Sequence, residues 1–191
     1  METERQRIAR VTSEPIAIVD YDESWPMRFE QERHHLLECL PEDIVVRIEH
    51  FGSTAIPGLA AKPVIDMMVE VKDLQAVQER VVPVLQGQGY EYFWRPTFGD
   101  EGAPFYAWFI KRDPHSGERT HHIHMVEASF AEHWDRLLFR DYLIENPEVA
   151  QRYEQVKRAA AEASPTDRVA YTHAKTRFIT EVTEQAKAHY R

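Results

Sequence analysis

The sequence EHFGSTAIPGLAAKPVIDMMVEV, residues 49–71, decides the fold because it joins a tight turn of small residues to an acidic residue on an apolar strand. The turn is Gly52-Ser53-Thr54, and it follows an apolar-rich segment. Because glycine carries no Cβ, backbone N–H groups in such a turn stay open to an anion, and the hydroxyls can join them. Asp66 lies in the next apolar run, where a carboxylate needs a partner such as a divalent cation. The stretch therefore predicts a phosphate-binding turn beside a metal-binding acid.

Length and composition indicate one globular domain. The chain has 191 residues, of which 43% are hydrophobic and 29% are charged, and this is enough to bury a core. A single cysteine excludes an intramolecular disulfide and favours a reducing compartment. No long apolar run occurs, so we expect a cytoplasmic protein without a membrane partner. The net charge of -9 disfavours a nucleic-acid partner and leaves a small molecule as the better expectation.

Two pairs of strands are predicted from β-branched and aromatic residues. Residues 44–50 and 64–71 form the first pair and are joined by the small-residue turn. Residues 105–111 and 119–126 flank the segment 113–117, whose residue types favour a chain reversal. We therefore expect an antiparallel hairpin from the second pair.

The last part of the chain is predicted to be helical. From residue 130 to the end, three amphipathic or alanine-rich patterns occur, and Ser164 is the expected N-cap of the last helix. The amino terminus alternates charged and polar residues. The prediction is therefore one α+β domain over residues 15–191 with a helical C-terminal third, preceded by a disordered or extended arm over residues 1–14.

Strand alternation predicts a metal site. Asp66, Met68 and Glu70 share one face of their strand. In the later strand, Ile123 and Met125 alternate with His122 and His124. If Ile123 and Met125 pack into the core, the two histidines lie on the same side of the sheet as Asp66. Two imidazoles and a carboxylate suit zinc, manganese or iron better than an all-oxygen magnesium site. Because the chain has ten histidines, ordinary solvent-facing or hydrogen-bonded strand histidines stay open as the alternative.

Several cations are candidates for contacting a phosphate. Lys62 lies between the turn and the acidic strand, and Lys175 lies in the last helix, from which it could reach a bound phosphate. The alternative for both is a solvated surface charge. Arg119, Arg136 and Arg140 are further candidates with the same alternative. The small-residue turn also has a plain alternative, because any β-turn can use these residues.

The stretches His50–Thr54 and Pro57–Asp66 resemble the signature of the GrpB family, also called UPF0157. The resemblance continues through His122–His124, Phe139–Leu143 and Tyr171–Lys175, so it covers nearly the whole chain after the first dozen residues. GrpB members are placed in the nucleotidyltransferase superfamily typified by polymerase β. The resemblance implies a nucleotidyltransferase-like mixed or antiparallel sheet flanked by helices, with the Gly-Ser turn facing a nucleoside triphosphate.

The resemblance also assigns roles. In that superfamily an Asp-x-Asp strand follows the turn and holds divalent metals, so Asp66 is implied as the catalytic acid. Met68 stands at the second acidic position, which puts two-metal catalysis in doubt. His122 and His124 stand on the strand expected to supply a third acid. The cofactor implied is a divalent metal, with Mg²⁺, Mn²⁺ and Zn²⁺ left open.

Three functions follow as hypotheses. The first is a nucleotidyltransferase-like protein that binds a nucleotide or phosphorylated small molecule at Gly52, Ser53, Thr54, Lys62 and Lys175, and that could catalyse metal-dependent transfer. The second is a non-catalytic binding module linked to coenzyme A metabolism, since domains of this family also occur fused to dephospho-CoA kinases in some bacteria. The third is a metal-dependent phosphohydrolase.

Overall fold

The computed structural model of the protein describes residues 2–96 and 104–191, and these divide into two compact units. We call the first the helical unit; it holds the residues up to Tyr21, 56–63 and 138–191. We call the second the sheet unit; it holds residues 22–55 and the described part of 64–137. The expectation of one domain over residues 15–191 stays a prediction.

The sheet unit is built on a five-stranded mixed sheet with the order β1-β2-β5-β4-β3. β2 and β5 are parallel, and the other neighbours are antiparallel. The fold class was therefore predicted correctly, and the β4–β5 hairpin is confirmed. The strands are β1 Val45–Phe51, β2 Ile65–Val71, β3 Glu91–Pro96, β4 Phe105–Arg112 and β5 Arg119–Val126.

The two faces of this sheet differ in what they carry. We call the first the α2 face; it presents His121, Ile123 and Met125 toward helix α2, Trp25–Cys39. Ile123 and Met125 are fully buried there, because a parallel pair in the middle of a sheet is covered on both sides. We call the second the site face; it carries Asp66, His122 and His124, as strand alternation requires.

Helical segments connect β2 to β3. Asp73 caps the first of them by accepting a hydrogen bond from the backbone N–H of Gln75 at 2.9 Å. The chain then forms a π-helical stretch. Pro83 lies just after it, in the first turn of the last segment. The segments are α3 Leu74–Ala76, a π-helix Val77–Val81 and α4 Val82–Gly87.

The helical unit contains an apolar core and one buried cation. Lys157 is 1% exposed, and its ammonium donates to the carbonyl of Ala60. Glu154 accepts from the N–H of the same Ala60 at 3.1 Å, so both polar backbone groups of that residue are paired. Burial lowers the pKa of Lys157 to about 7. The helices are α1 Glu4–Thr12, α6 Pro147–Ala163 and α7 Arg168–Tyr190, together with the end of α5 Ala131–Glu145.

Two predictions about local structure are wrong, one for the amino-terminal arm and one for the start of the last helix. Residues 4–12 form α1 instead of an extended or disordered arm, because Thr3 and Gln6 make a reciprocal capping box. The last helix begins after Asp167, not after Ser164, because the Asp167 carboxylate accepts from the N–H groups of Val169 and Ala170. Among the described residues, no helix is long and apolar enough to cross a bilayer.

Candidate functional site

The small-residue turn lies directly against the acidic residue of β2. Phe51 pairs with Asp66 across the β1–β2 ladder, and Gly52 follows with a φ of +74°. A Cβ atom built on Gly52 would lie 2.6 Å from Oδ2 of Asp66, which is closer than van der Waals contact allows. Only glycine therefore combines this backbone conformation with this close approach.

Thr54 anchors the turn to β1 through a hydrogen bond with His50. Its side chain is buried, and its hydroxyl hydrogen-bonds with Nε2 of His50 at 3.0 Å. The chain from Ser53 to Ala55 makes one 3₁₀ turn, closed by the Ala55 N–H donating to the Gly52 carbonyl at 3.2 Å. The Thr54 hydroxyl is thus engaged within the protein, while Ser53 stays partly exposed. The roles of Gly52, Ser53 and Thr54 in binding phosphate stay predictions.

Asp66, His122 and His124 come together on the site face. β2 and β5 are parallel in a register that pairs Asp66 with His122 and Met68 with His124. One ligand atom from each of the three residues lies within 4.8 Å of the others. The predicted juxtaposition is therefore correct, and Asp66 is 28% exposed by side chain, so a ligand can reach it.

The His122 ring lies between a carboxylate and a guanidinium group. Its Nδ1 lies 3.0 Å from Oδ1 of Asp66, and its Nε2 lies 3.3 Å from Nη1 of Arg119. Because a guanidinium only donates, Nε2 accepts from Arg119, and the proton on Nδ1 points to Asp66. Arg119 is 7% exposed and orients this imidazole. Its role as an anion contact stays a prediction.

His124 has an open ring nitrogen. Its Nδ1 is buried and has no hydrogen-bond partner within residues 2–96 and 104–191. The ring packs edge-on to Phe51 and parallel to Tyr106, with centroid distances of 5.1 and 5.5 Å. Desolvation, and then the charge of Arg136, hold the pKa of His124 well below its usual value. His124 is therefore a neutral imidazole with the donor capacity that a metal ligand needs.

The donor set fits a divalent transition metal. One carboxylate and two imidazoles on a shared face are typical ligands of zinc, manganese or iron, and the unpaired buried nitrogen of His124 is what such an ion would satisfy. Met68 is fully buried and supplies no oxygen ligand. Glu70 is engaged elsewhere, because its carboxylate accepts from Arg47 at 2.6 Å. Asp66 is thus the one acid of β2 that is available to this site.

Four aromatic and basic residues of the site face were missed from the sequence. Tyr106 and Trp108 on β4 pack against His124 and share its face, and burial raises the pKa of Tyr106. His133 on α5 lies edge-on to Tyr106 at 4.5 Å, and its Nε2 is also buried without a partner among the residues described. Arg95 on β3 completes the set. Extending the alternation rule from β5 to its hairpin partner would have found Tyr106 and Trp108.

Lys62 and Lys175 belong to the helical unit. Their ammonium groups lie 5.3 and 3.9 Å from the centroid of the Tyr171 ring, which is buried. These are cation–π contacts, so the two lysines share one aromatic partner. Arg140 forms an ion pair with Asp141 at 2.7 Å. The roles of Lys62 and Lys175 in phosphate binding stay predictions.

The chain is similar to known proteins over nearly its whole length. A family model described as GrpB protein matches residues 15–185. Glutamate-rich protein GrpB of Alkalihalophilus pseudofirmus is 36% identical over 168 residues, which cover 87% of this chain and 93% of the relative. A dephospho-CoA kinase of Mycolicibacterium paratuberculosis is 30% identical over 188 residues, covering 89% of this chain but 45% of the kinase.

A solved structure gives the same result for the fold. The crystal structure of conserved protein GrpB from Enterococcus faecalis matches with a TM-score of 0.75 and 31% identity, over 92% of this chain and 100% of that one. A TM-score of 0.75 over 92% of this chain and the whole of the other shows a shared architecture. With the family model matched from residue 15 to residue 185, the chain belongs to the GrpB family, as its sequence signature predicts.

Proposed function

We propose that this protein is a nucleotidyltransferase-like protein that binds a nucleotide or another phosphorylated small molecule with the help of a divalent metal. Asp66, His122 and His124 would hold the metal. Because a neutral imidazole has one acceptor nitrogen, His122 would give up the hydrogen bond that it accepts from Arg119 when it binds the metal. The observation that carries the proposal is the unpaired Nδ1 of His124, buried within a group whose ligand atoms lie within 4.8 Å of one another. A buried donor or acceptor without a partner costs about 1–3 kcal/mol, so its retention favours a bound ligand.

The chemistry expected of this site is electrostatic. A divalent metal, when bound, polarises a phosphate oxygen. The turn at Gly52 and Ser53 would donate backbone N–H groups to the same phosphate. Because Gly52 has no Cβ, this turn can lie directly against Asp66. Arg119 orients His122 before the metal binds. Asp66 is the proposed catalytic residue if transfer occurs.

The residue at position 68 bears on whether two-metal catalysis is possible. Two-metal phosphoryl or nucleotidyl transfer uses bridging carboxylates, whereas Met68 carries none and is fully buried. This supports chemistry with one metal, or binding alone. The similarity to part of a dephospho-CoA kinase supports a binding module linked to coenzyme A metabolism as the second candidate.

Metal analysis tests the proposal. We expect the purified protein, after equilibration with Zn²⁺ or Mn²⁺ and desalting, to hold about one metal per chain by mass spectrometry. Asp66→Ala, and His122→Ala combined with His124→Ala, should weaken metal affinity by about 10- to 100-fold or more. His121→Ala is the matched control, because this histidine of the same strand faces α2. Unchanged metal content in the site variants would refute the ligand set.

Product analysis then separates the functions. The metal-loaded protein would be incubated with labelled nucleoside triphosphates and a panel of small acceptors. Release of pyrophosphate supports nucleotidyl transfer, and release of inorganic phosphate or a monophosphate supports a phosphohydrolase. Saturable binding without any product supports the module. Metal loading with neither binding nor turnover of any phosphate compound would contradict all three.

A further inference from the structure

Arg95 lies on the site face at the edge of the sheet. It pairs with Tyr106 across the β3–β4 ladder, and its guanidinium carbon lies 4.8 Å from the Trp108 ring centroid and 5.8 Å from that of Tyr106. Stacking on an aromatic ring fixes the plane of a guanidinium and leaves its N–H edges free to bind an anion. No hydrogen bond from Arg95 to another described residue occurs in the structure.

Arg136 approaches the same face from helix α5. It lies three residues after His133, so both side chains project from one side of the helix, and the His133 ring contacts Tyr106 at 4.5 Å. Arg136 is half-buried, and it too makes no hydrogen bond with the rest of the described chain. Its charge acts on His124, and it interacts in turn with Asp66 and Arg95. Desolvation and the nearby Arg95 lower the pKa of Arg136.

A third donor lies between these cations and the imidazoles. The indole ring of Trp108 is 8% exposed, and its Nε1–H is buried without a hydrogen-bond partner in the part of the chain that the structure describes. The ring contacts Arg95 on one hand and His122 on the other, the latter at 5.1 Å between centroids. Within residues 2–96 and 104–191, one buried N–H without an acceptor and two guanidinium groups without a hydrogen-bonded carboxylate thus lie near one another, although the whole chain carries a net charge of -9.

We propose that Arg95 and Arg136 bind the phosphate groups of the ligand, with the Nε1–H of Trp108 as an additional donor. The inference rests on the proposed function and names an anion subsite that the sequence signature does not contain. The ligand class is a phosphorylated anion with at least two negative charges, such as a diphosphate or triphosphate. Asp66 and Glu132 both act on the charge of Arg136, and neither is hydrogen-bonded to it in the part of the chain that the structure describes. A multiply charged anion would engage both guanidinium groups directly, which a neutral ligand cannot do.

The test is calorimetric titration of the metal-loaded protein with inorganic pyrophosphate at fixed ionic strength. Arg95→Gln and Arg136→Gln should each weaken binding by about 10-fold, and the double variant by about 100-fold, because hydrogen bonds to charged groups are the strong ones. Arg136→Lys should recover part of the loss. Arg177→Gln is the control, since it removes the same charge from a side chain that is 90% exposed.

Metal content is measured on every variant, so the two proposals fail separately. Pyrophosphate binding that is unchanged in the double variant, with the metal retained, would overturn the anion subsite and leave the metal site standing. Loss of binding in both the arginine variants and Arg177→Gln would overturn it too, because the effect would then be general charge. A wild-type protein that holds no metal but loses pyrophosphate binding on Arg95→Gln would refute the metal site and support the subsite.

Discussion

The two faces of the central sheet carry the same residue types in opposite states. On the α2 face, Glu32 is 3% exposed and accepts hydrogen bonds from the Tyr90 hydroxyl and the Lys111 ammonium. His121 on this face has a partner for each ring nitrogen, the Thr120 hydroxyl at 3.0 Å and the Arg28 carbonyl at 3.4 Å. Glu32 and His121 also interact electrostatically. We call these two residues and their hydrogen-bond partners the closed network, because both buried groups are paired within the protein.

The site face is the open counterpart. Nδ1 of His124 and Nε2 of His133 are buried without partners among the residues described, and so is the indole N–H of Trp108. A buried polar group that lacks a partner is costly, whereas a paired one is close to neutral. The difference suggests that the network around Glu32 serves the fold and that the groups around His124 await a ligand. Substitutions that act differently on the two faces can break or sharpen this distinction.

The largest effect on stability is expected from Glu32→Ala. The change leaves the Tyr90 hydroxyl buried without its acceptor and Lys111 without its counter-ion, so the free energy of unfolding should fall by about 3 kcal/mol. Urea denaturation followed by circular dichroism measures this. Burial, and then the hydrogen bond to Glu32, raise the pKa of Tyr90, so the phenol stays neutral.

Glu30→Ala is the matched control for this change. Glu30 lies on the same helix, its side chain is 63% exposed, and its ion pair with Arg33 is a surface pair worth about 0.5 kcal/mol or less. If the closed network is structural, Glu32→Ala should leave metal and pyrophosphate binding unchanged at temperatures where the variant is folded. Loss of metal in folded Glu32→Ala would abolish the distinction between the faces.

The composition of the site face could be predicted from the sequence only in part. Alternation along β2 and β5 places Asp66, His122 and His124 on one face, because the period of two holds in any strand. The parallel pairing then sets Asp66 opposite His122 and Met68 opposite His124. Arg95 and Arg136 could not be placed in this way. Their approach depends on the register of β3 against β4 and on the rotation of α5, which are set by tertiary packing.

The helix ends show a different limit. The capping box at Thr3 and Gln6 was present in the sequence as a Thr-x-x-Gln pattern, so α1 could have been predicted despite its charged composition. The choice between Ser164 and Asp167 as N-cap was harder, because both are good capping residues and lie within four positions of each other. An unpaired ring nitrogen, by contrast, has no sequence signal, since it depends on every neighbour.

A smaller effect is expected at the turn that contacts Asp66. In Gly52→Ala the new Cβ would lie 2.6 Å from Oδ2 of Asp66. The substitution would also place an alanine at a φ of +74°, which L-residues rarely adopt. We expect a loss of about 2 kcal/mol in stability, from backbone strain and overpacking together. Displacement of the carboxylate should also weaken metal binding, which mass spectrometry and urea denaturation would detect in parallel.

Gly58→Ala isolates the strain from the clash. Gly58 has nearly the same φ, +76°, but a Cβ there would meet nothing within 4 Å. The control should therefore lose about 1 kcal/mol, with no change in metal affinity. Equal losses in the two variants would mean that the Asp66 carboxylate moves aside freely, and the close packing of the turn would then have no bearing on the site.

The finest comparison sets His121→Phe against His124→Phe, two changes of the same kind, three residues apart on one strand. His121→Phe removes both hydrogen bonds of His121 in the closed network, so we expect a loss of about 1–2 kcal/mol in stability and unchanged metal affinity.

His124→Phe keeps an aromatic ring between Phe51 and Tyr106 and removes a nitrogen that had no hydrogen-bond partner among the described residues. Because no buried polar group is then left unpaired, stability should stay within about 0.5 kcal/mol of the wild type or rise. Metal binding should nevertheless be lost. Only a residue kept for a ligand gives this combination, so a His124→Phe variant that retained the metal, or that was destabilised as much as His121→Phe, would show that the open nitrogen belongs to the fold.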